Sequence, residues 1–280
     1  MQIEKTIELG RERSLHILQA GKGPDVVLIH GALTTHSDWL EGQFQTLARR
    51  FRVTAVDRPG HGLSRRPRFE GTPRDQAAQI RDGLHVLGIE QAVFVGHSMG
   101  GLVALAMAEQ FPELVERLVL VAPIAFPEAR PLEHSLFAPR AVPFFGPLLS
   151  QFGAATVDRP MLKAVQRLMF APQPVPERWE ANYPYARILT SEGMVAEGEE
   201  TAAILPFAPA GIIDLAKVAA PTHILTGVAD RVCNPDRHAR PLALMLRDSR
   251  LTERPGVGHM LHHAEPEAFI AAVEDALETA

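Results

Sequence analysis

The run FVGHSMGGLVALAMA, Phe94 to Ala108, sets one serine between two glycines where an apolar stretch meets a helical one. Ala92–Val95 is β-branched and aromatic, whereas Leu102, Leu105, Ala106 and Ala108 recur at helical spacing. Ser98 is therefore expected on a sharp turn from strand to helix. Such a turn strains the backbone of its central residue, and Gly96 and Gly100 remove the side chains that would collide there. A further glycine, Gly101, lets the helix approach the sheet. A hydroxyl displayed in this way is a nucleophile only if a base takes its proton and an acid orients that base.

G-x-S-x-G occurs by chance too often to decide alone, so its partners must be found. Loops that follow parallel strands share one sheet edge, and the partners are sought in them. Asp230 follows HILTG within GVADRVCNPD, and His259 follows RLTER within GVGHMLHHAEPEAF. The order Ser98, Asp230, His259 is the one expected of a catalytic triad on such a turn. Glu128, after an earlier strand, is the reserve acid, while Asp236 suits a helix N-cap. His262 and His263 fall in the first turn of the closing helix. For the oxyanion, the expected donors are the Met99 amide and that of Ala32 in HGALTTHSDW, with Leu33 as the alternative to Ala32. Gly31 turns that loop inward, and His30 is expected to tie loops together.

These loops require a framework of alternating strands and helices. Strand-like runs appear at Ser14–Leu18, Val26–His30, Arg52–Val56, Ala92–Val95, Leu118–Ala122, Thr222–Thr226 and Arg250–Arg254. Thr72–Leu87 reads as a helix with Thr72 as cap, Pro73 in its first turn and Gly88 after its end. The expected fold class is α/β, a mostly parallel central sheet flanked by helices. Alternation fails from Ile124 to about Pro209, a proline-dense segment with short apolar helical stretches. The expected organisation is a core of 1–123 and 210–280 with an inserted helical cap over 124–209. In that cap, Phe137, Phe144, Phe145, Leu148, Leu149, Met161, Met169, Phe170 and Trp179 are expected mainly to pack its own core, a minority facing substrate.

Composition narrows the classes. The 280 residues are 46% hydrophobic, with 28 basic and 33 acidic side chains and a formal charge of -5, so nothing favours nucleic acid or an anionic membrane as partner. One cysteine, Cys233, excludes an internal disulfide and a cysteine zinc cluster; it reads as a small buried residue. No leading apolar block and no membrane-length apolar run occur, giving the expectation of a cytoplasmic protein. The His259, His262, His263 cluster is too weak a pattern for a metal site. Arg65, Arg66 and Arg68 read as a solvated loop face, and Asp57 with Arg58 as a loop anchor. No metal and no cofactor are expected; the oligomeric state is not legible.

Taken together, HGALTTHSDW, DRPGHGLS, GHSMGG, GVADRV and GVGHMLHH resemble the α/β-hydrolase fold superfamily across nearly the whole chain. Asp57–Ser64 resembles the turn this family carries after its fourth strand. The resemblance implies a cofactor-free hydrolase of a small molecule. Members that open epoxides or displace halide carry aspartate where this chain has Ser98, so serine implies an acyl-enzyme. The leading expectation is a carboxylesterase acting on a small or medium apolar ester. A carbon–carbon bond hydrolase or a cofactor-free haloperoxidase or perhydrolase-like esterase is the alternative, and a non-catalytic ligand receptor on the same fold is a second.

Overall fold

In the computed structural model, which describes residues 2–10, 12–41, 43–205 and 212–278, each strand-like run becomes a strand and one further strand precedes them. These are β1 (Ile3–Gly10), β2 (Arg13–Ala20), β3 (Asp25–Ile29), β4 (Arg52–Val56), β5 (Ala92–His97), β6 (Val115–Val121), β7 (Thr222–Gly227) and β8 (Ser249–Arg254). They form one sheet in the order β1-β2-β4-β3-β5-β6-β7-β8. β1 pairs antiparallel with β2, and β2 antiparallel with β4; every later neighbour is parallel. β1 escapes a hydrophobicity reading because it is an edge strand whose single buried residue is Ile7.

Helices α1 (Gln43–Leu47), α2 (Pro73–Val86) and α3 (Met99–Gln110) lie between the early strands. Six more, α4 (Pro131–Phe137), α5 (Phe145–Ala155), α6 (Asp158–Phe170), α7 (Glu177–Asn182), α8 (Tyr185–Ile188) and α9 (Ser191–Ala203), separate β6 from β7. α10 (Ala239–Met245), α11 (Leu261–Ala264) and α12 (Pro266–Glu278) complete the chain. α2 starts as its sequence requires: the Thr72 hydroxyl accepts from the Asp75 amide, and the Asp75 carboxylate accepts from the Thr72 amide at 3.1 Å. α3 is apolar all round and correspondingly buried from Met99 to Ala108.

Two apolar layers sandwich the sheet. One joins Ile29, Phe94 and Leu120 to Ile80, Leu84, Leu102 and Leu105. The other joins Val93, Val95 and Val121 to Trp39, Phe44, Phe269 and Val273. A third cluster, built from Phe137, Leu162, Met169, Phe170, Trp179 and Tyr183, lies within α4–α9 and takes in Leu33 and Met260 from the sheet side.

The segment expected to be a cap contains only helices and turns among its described residues; its expected far boundary, near 209, falls on 206–211, outside the described residues. Two expectations within and beside it need correction. Phe144, Phe145 and Leu148 are 91%, 56% and 67% exposed and pack no core, because Phe144 sits at the cap before α5 and the other two lie on its outward side. Arg66 is not on a solvated face: it is buried against the Glu199 carboxylate of α9 at 2.6 Å, and Arg68 joins the same carboxylate. Arg65 alone of the three pairs at the surface, with Glu8.

Candidate active site

The site is assembled on the edge where the parallel strands end. Ser98, between β5 and α3, has φ 54° and ψ -116°, a conformation a non-glycine residue adopts only under local constraint. Two backbone approaches impose it. A Cβ on Gly96 would stand 2.4 Å from the Gly100 carbonyl oxygen, and one on Gly100 would stand 2.2 Å from that of Ile29. The Ser98 amide donates to Val121 O, and its carbonyl accepts from the Ile124 amide, so the turn is held from β6 as well.

Asp230 and His259 come from the loops after β7 and β8, and the His259 Nδ1–H donates to Asp230 Oδ2 at 2.8 Å. The second Asp230 oxygen accepts from the Val232 and Cys233 amides at 2.7 and 2.8 Å. The carboxylate is thus fixed on both oxygens, and Nε2 of the imidazole is left without its proton in the neutral ring. Burial lowers the His259 pKa below the ordinary histidine value against the opposing pull of Asp230. The ring is therefore neutral at pH 7, the state in which a base can accept a proton.

Ser98, Met99, Ala32, Leu33 and His259 line one cavity of about 310 Å³, closed on its other side by α4, α6 and α9. Within it, the Ser98 hydroxyl meets Cys233 Sγ at 3.9 Å, and no hydrogen bond joins it to His259 among the described residues. Cys233 is buried as expected, but it is more than filler: Arg130 donates to its sulfur at 3.5 Å, and burial pushes its thiol up to about 12. Glu128 turns away from His259 to Arg130 and His238. Met99, as the first residue of α3, carries an amide with no intrahelical partner. Of the two amides in the loop after β3, that of Leu33 donates to Glu197 Oε2 on α9 at 3.2 Å. Asp236 does not cap α10, which begins only at Ala239; its carboxylate pairs with Arg240.

Around these residues, sequence reading reached His30 and Arg58 as ties between loops but not their partners, nor the groups behind His259. His30 Nε2 accepts from the Arg58 amide at 2.9 Å while its Nδ1–H donates to Gly31 O, so it does tie the loops after β3 and β4 together. Arg58 reaches Glu200 at 2.7 Å, and Glu200 also accepts from His61 Nε2 at 2.6 Å and from Gln76. Behind His259, the Asp38 carboxylate accepts from His262 and His263 at 3.1 and 2.9 Å, and the His97 ring packs, tilted, between those of His259 and His262. Among the described residues three groupings have the reach to hold a metal ion, Glu4 with His16 and His36, Asp38 with His97 and His262, and His61 with Glu197 and Glu200. In the last, the Arg58 guanidinium already supplies the cation. No helix of the described residues is long and apolar enough to cross a membrane.

A model of the alpha/beta hydrolase family matches residues 26–272. An uncharacterised protein of Mycobacterium tuberculosis is 30% identical over 96% of this chain and 79% of its own length. A pimeloyl-[acyl-carrier protein] methyl ester esterase of Nitrosomonas europaea is 42% identical over 39% of this chain and 41% of its own. Among solved structures, an epoxide hydrolase, CorEH, superposes with a TM-score of 0.82 at 20% identity, covering 100% of this chain and 99% of that one.

Proposed function

This chain belongs to the alpha/beta hydrolase family, and from that premise we propose that it is a serine hydrolase cleaving a small or medium apolar carboxylic ester through an acyl-enzyme. The observation that carries this reading is the buried His259–Asp230 pair opening on the same cavity as a strained, helix-capping Ser98. In the proposed cycle Ser98 Oγ attacks the ester carbonyl, and His259 Nε2 takes the hydroxyl proton and returns it to the leaving alcohol. Asp230 holds the ring by Nδ1–H and offsets the charge it gains. The Met99 and Ala32 amides receive the oxyanion; the engagement of Leu33 by Glu197 favours Ala32 over Leu33. Water then repeats the sequence on the acyl-enzyme and releases the acid.

The reading requires one movement. The Ser98 hydroxyl must leave Cys233 for His259, a change between staggered χ1 positions of a side chain with three of them. Helices α4–α9 act in this scheme as the cap that shapes the acyl pocket with Phe137, Val165 and Met169.

Ser98→Ala is expected to abolish the burst of p-nitrophenol from short acyl esters and to lower turnover by at least about 10³-fold. Turnover equal to that of the unaltered protein would end the assignment. Because burial lowers the His259 pKa, kcat/KM should stay level as pH falls through 6.5 and decline only below it.

A further inference from the structure

Glu197 is the one carboxyl of α9 that faces the cavity and has no cation of its own. It lines the same space as Ser98 and His259, yet its residue is only 4% exposed. Its Oε2 accepts from the Leu33 amide at 3.2 Å, one residue beyond Ala32; no partner for Oε1 is found among the described residues. The surrounding charges are committed elsewhere. Arg58 and His61, from the loop after β4, are spent on Glu200, one turn along the same helix. Arg66 and Arg68 hold Glu199. Across from it on α4, Glu133 pairs with Arg130. On the other elements packed against α9, Arg140 pairs with Asp158, Arg187 with Glu4, and α5 carries no charge.

His61 sharpens the point. Its Nε2–H is given to Glu200, so in the neutral ring Nδ1 turns a lone pair, not a proton, toward Glu197 Oε2 at 3.9 Å. An ionised Glu197 would face the Glu200 and Glu133 carboxylates and a lone pair, against the Leu33 amide and the attraction of an Arg58 guanidinium already paired with Glu200. A neutral carboxyl with its proton on Oε1 instead presents a donor to the cavity.

We propose that Glu197 is a substrate-binding residue, a neutral carboxyl whose Oε1–H donates a hydrogen bond to an uncharged oxygen of the substrate away from the scissile carbonyl. The site thereby selects esters bearing an ether, ketone or second ester oxygen over all-carbon chains of equal length. Burial, with the nearby Glu200 carboxylate, raises the Glu197 pKa to about 8, so the donor persists through neutral pH and disappears above it. This inference rests on the serine hydrolase reading of the same cavity.

The test is a walk of one oxygen through those methylene positions of the acyl chain of p-nitrophenyl hexanoate and of the alcohol of hexyl acetate that are separated from the ester group by at least two carbons, so that each compound remains an unactivated ether of the same ester. At one position kcat/KM is expected to exceed that of the all-carbon ester by about three- to tenfold at pH 7. The preference should vanish in Glu197→Ala and be rescued in Glu197→Gln, which keeps an N–H donor and the acceptor for Leu33. It should also fade above pH 8 in the unaltered protein and persist there in Glu197→Gln. The same preference, read as the thermal shift produced by each ester on Ser98→Ala, needs no turnover; if no ester is cleaved but the shift behaves as described, the catalytic reading fails and the role of Glu197 stands. A preference that is absent at every position, or that survives Glu197→Ala, overturns the proposal. So does one in Glu197→Gln that fades above pH 8 as in the unaltered protein.

Discussion

The sheet with its flanking helices and the helical segment between β6 and β7 are held by different physics. Around the sheet, stability comes from apolar area: every residue of β5 is buried, and α3 packs between that strand and α2. The helical segment has a smaller apolar cluster that takes in Leu33 and Met260, and the rest of its grip on the sheet side is ionic and polar. Glu200 engages Arg58, His61 and Gln76; Glu199 engages Arg66 and Arg68; Glu197 takes the Leu33 amide; and the Tyr183 hydroxyl donates to Leu33 O. Apolar contacts are nondirectional and tolerate repacking, whereas a buried charge pair is worth something only in one geometry. The contrast teaches that the helical segment is held in register chiefly by directional bonds from α9, close to the proposed oxyanion loop.

The largest expected effect comes from breaking that register. Glu200→Ala leaves the fully buried Arg58 guanidinium uncompensated, which should cost about 3–5 kcal/mol in chemical denaturation. It should also make the segment 124–205 cleavable by protease before the sheet unfolds; a single cooperative loss of both would erase the distinction drawn here. In the sheet layer, Leu105→Ala removes a completely buried side chain from α3 and should cost about 2–5 kcal/mol. That loss is expected to be global, with proteolysis of the helical segment no earlier than unfolding.

A third test varies pH. Burial lowers the pKa values of His30 and His262 to about 3, His30 with the added repulsion of Arg58. Their folded values lie below the unfolded one of about 6.5, so below that pH the unfolded chain binds protons that the folded chain refuses. Stability from this source is complete above pH 6.5 and should fall as pH drops toward 3. Melting temperature measured across that range checks it, and His30→Gln should flatten part of the slope. The smallest effect is local: Thr72→Ala removes the cap of α2 and should cost about 1 kcal/mol.

The parts that were legible in sequence are those whose cause is local. α2 is bounded by Thr72, Pro73 and Gly88, and each acts within one turn of the helix. The turn at Ser98 is legible because its strain must be relieved by glycines two residues away. Asp230 and His259 were reached from the rule that loops after parallel strands share an edge. β1 was not legible, since an exposed edge strand has little apolar pattern to display. Arg66 was misplaced because its partner, Glu199, is 133 residues away. Phe144 and Phe145 were misplaced because hydrophobicity does not report which side of a helix has a neighbour.

By itself the sequence determined the elements, the strained serine turn and the order in which Ser98, Asp230 and His259 follow their strands, because turns, caps and periodicity act over a few residues. Only the tertiary structure decided that Ser98 rests against Cys233, that Arg58 is consumed by Glu200, and that Glu197 reaches the Leu33 amide across 164 positions of chain. Those contacts are pairings between distant segments, and the free energy of a buried charge or hydroxyl depends on its neighbours in space rather than in sequence.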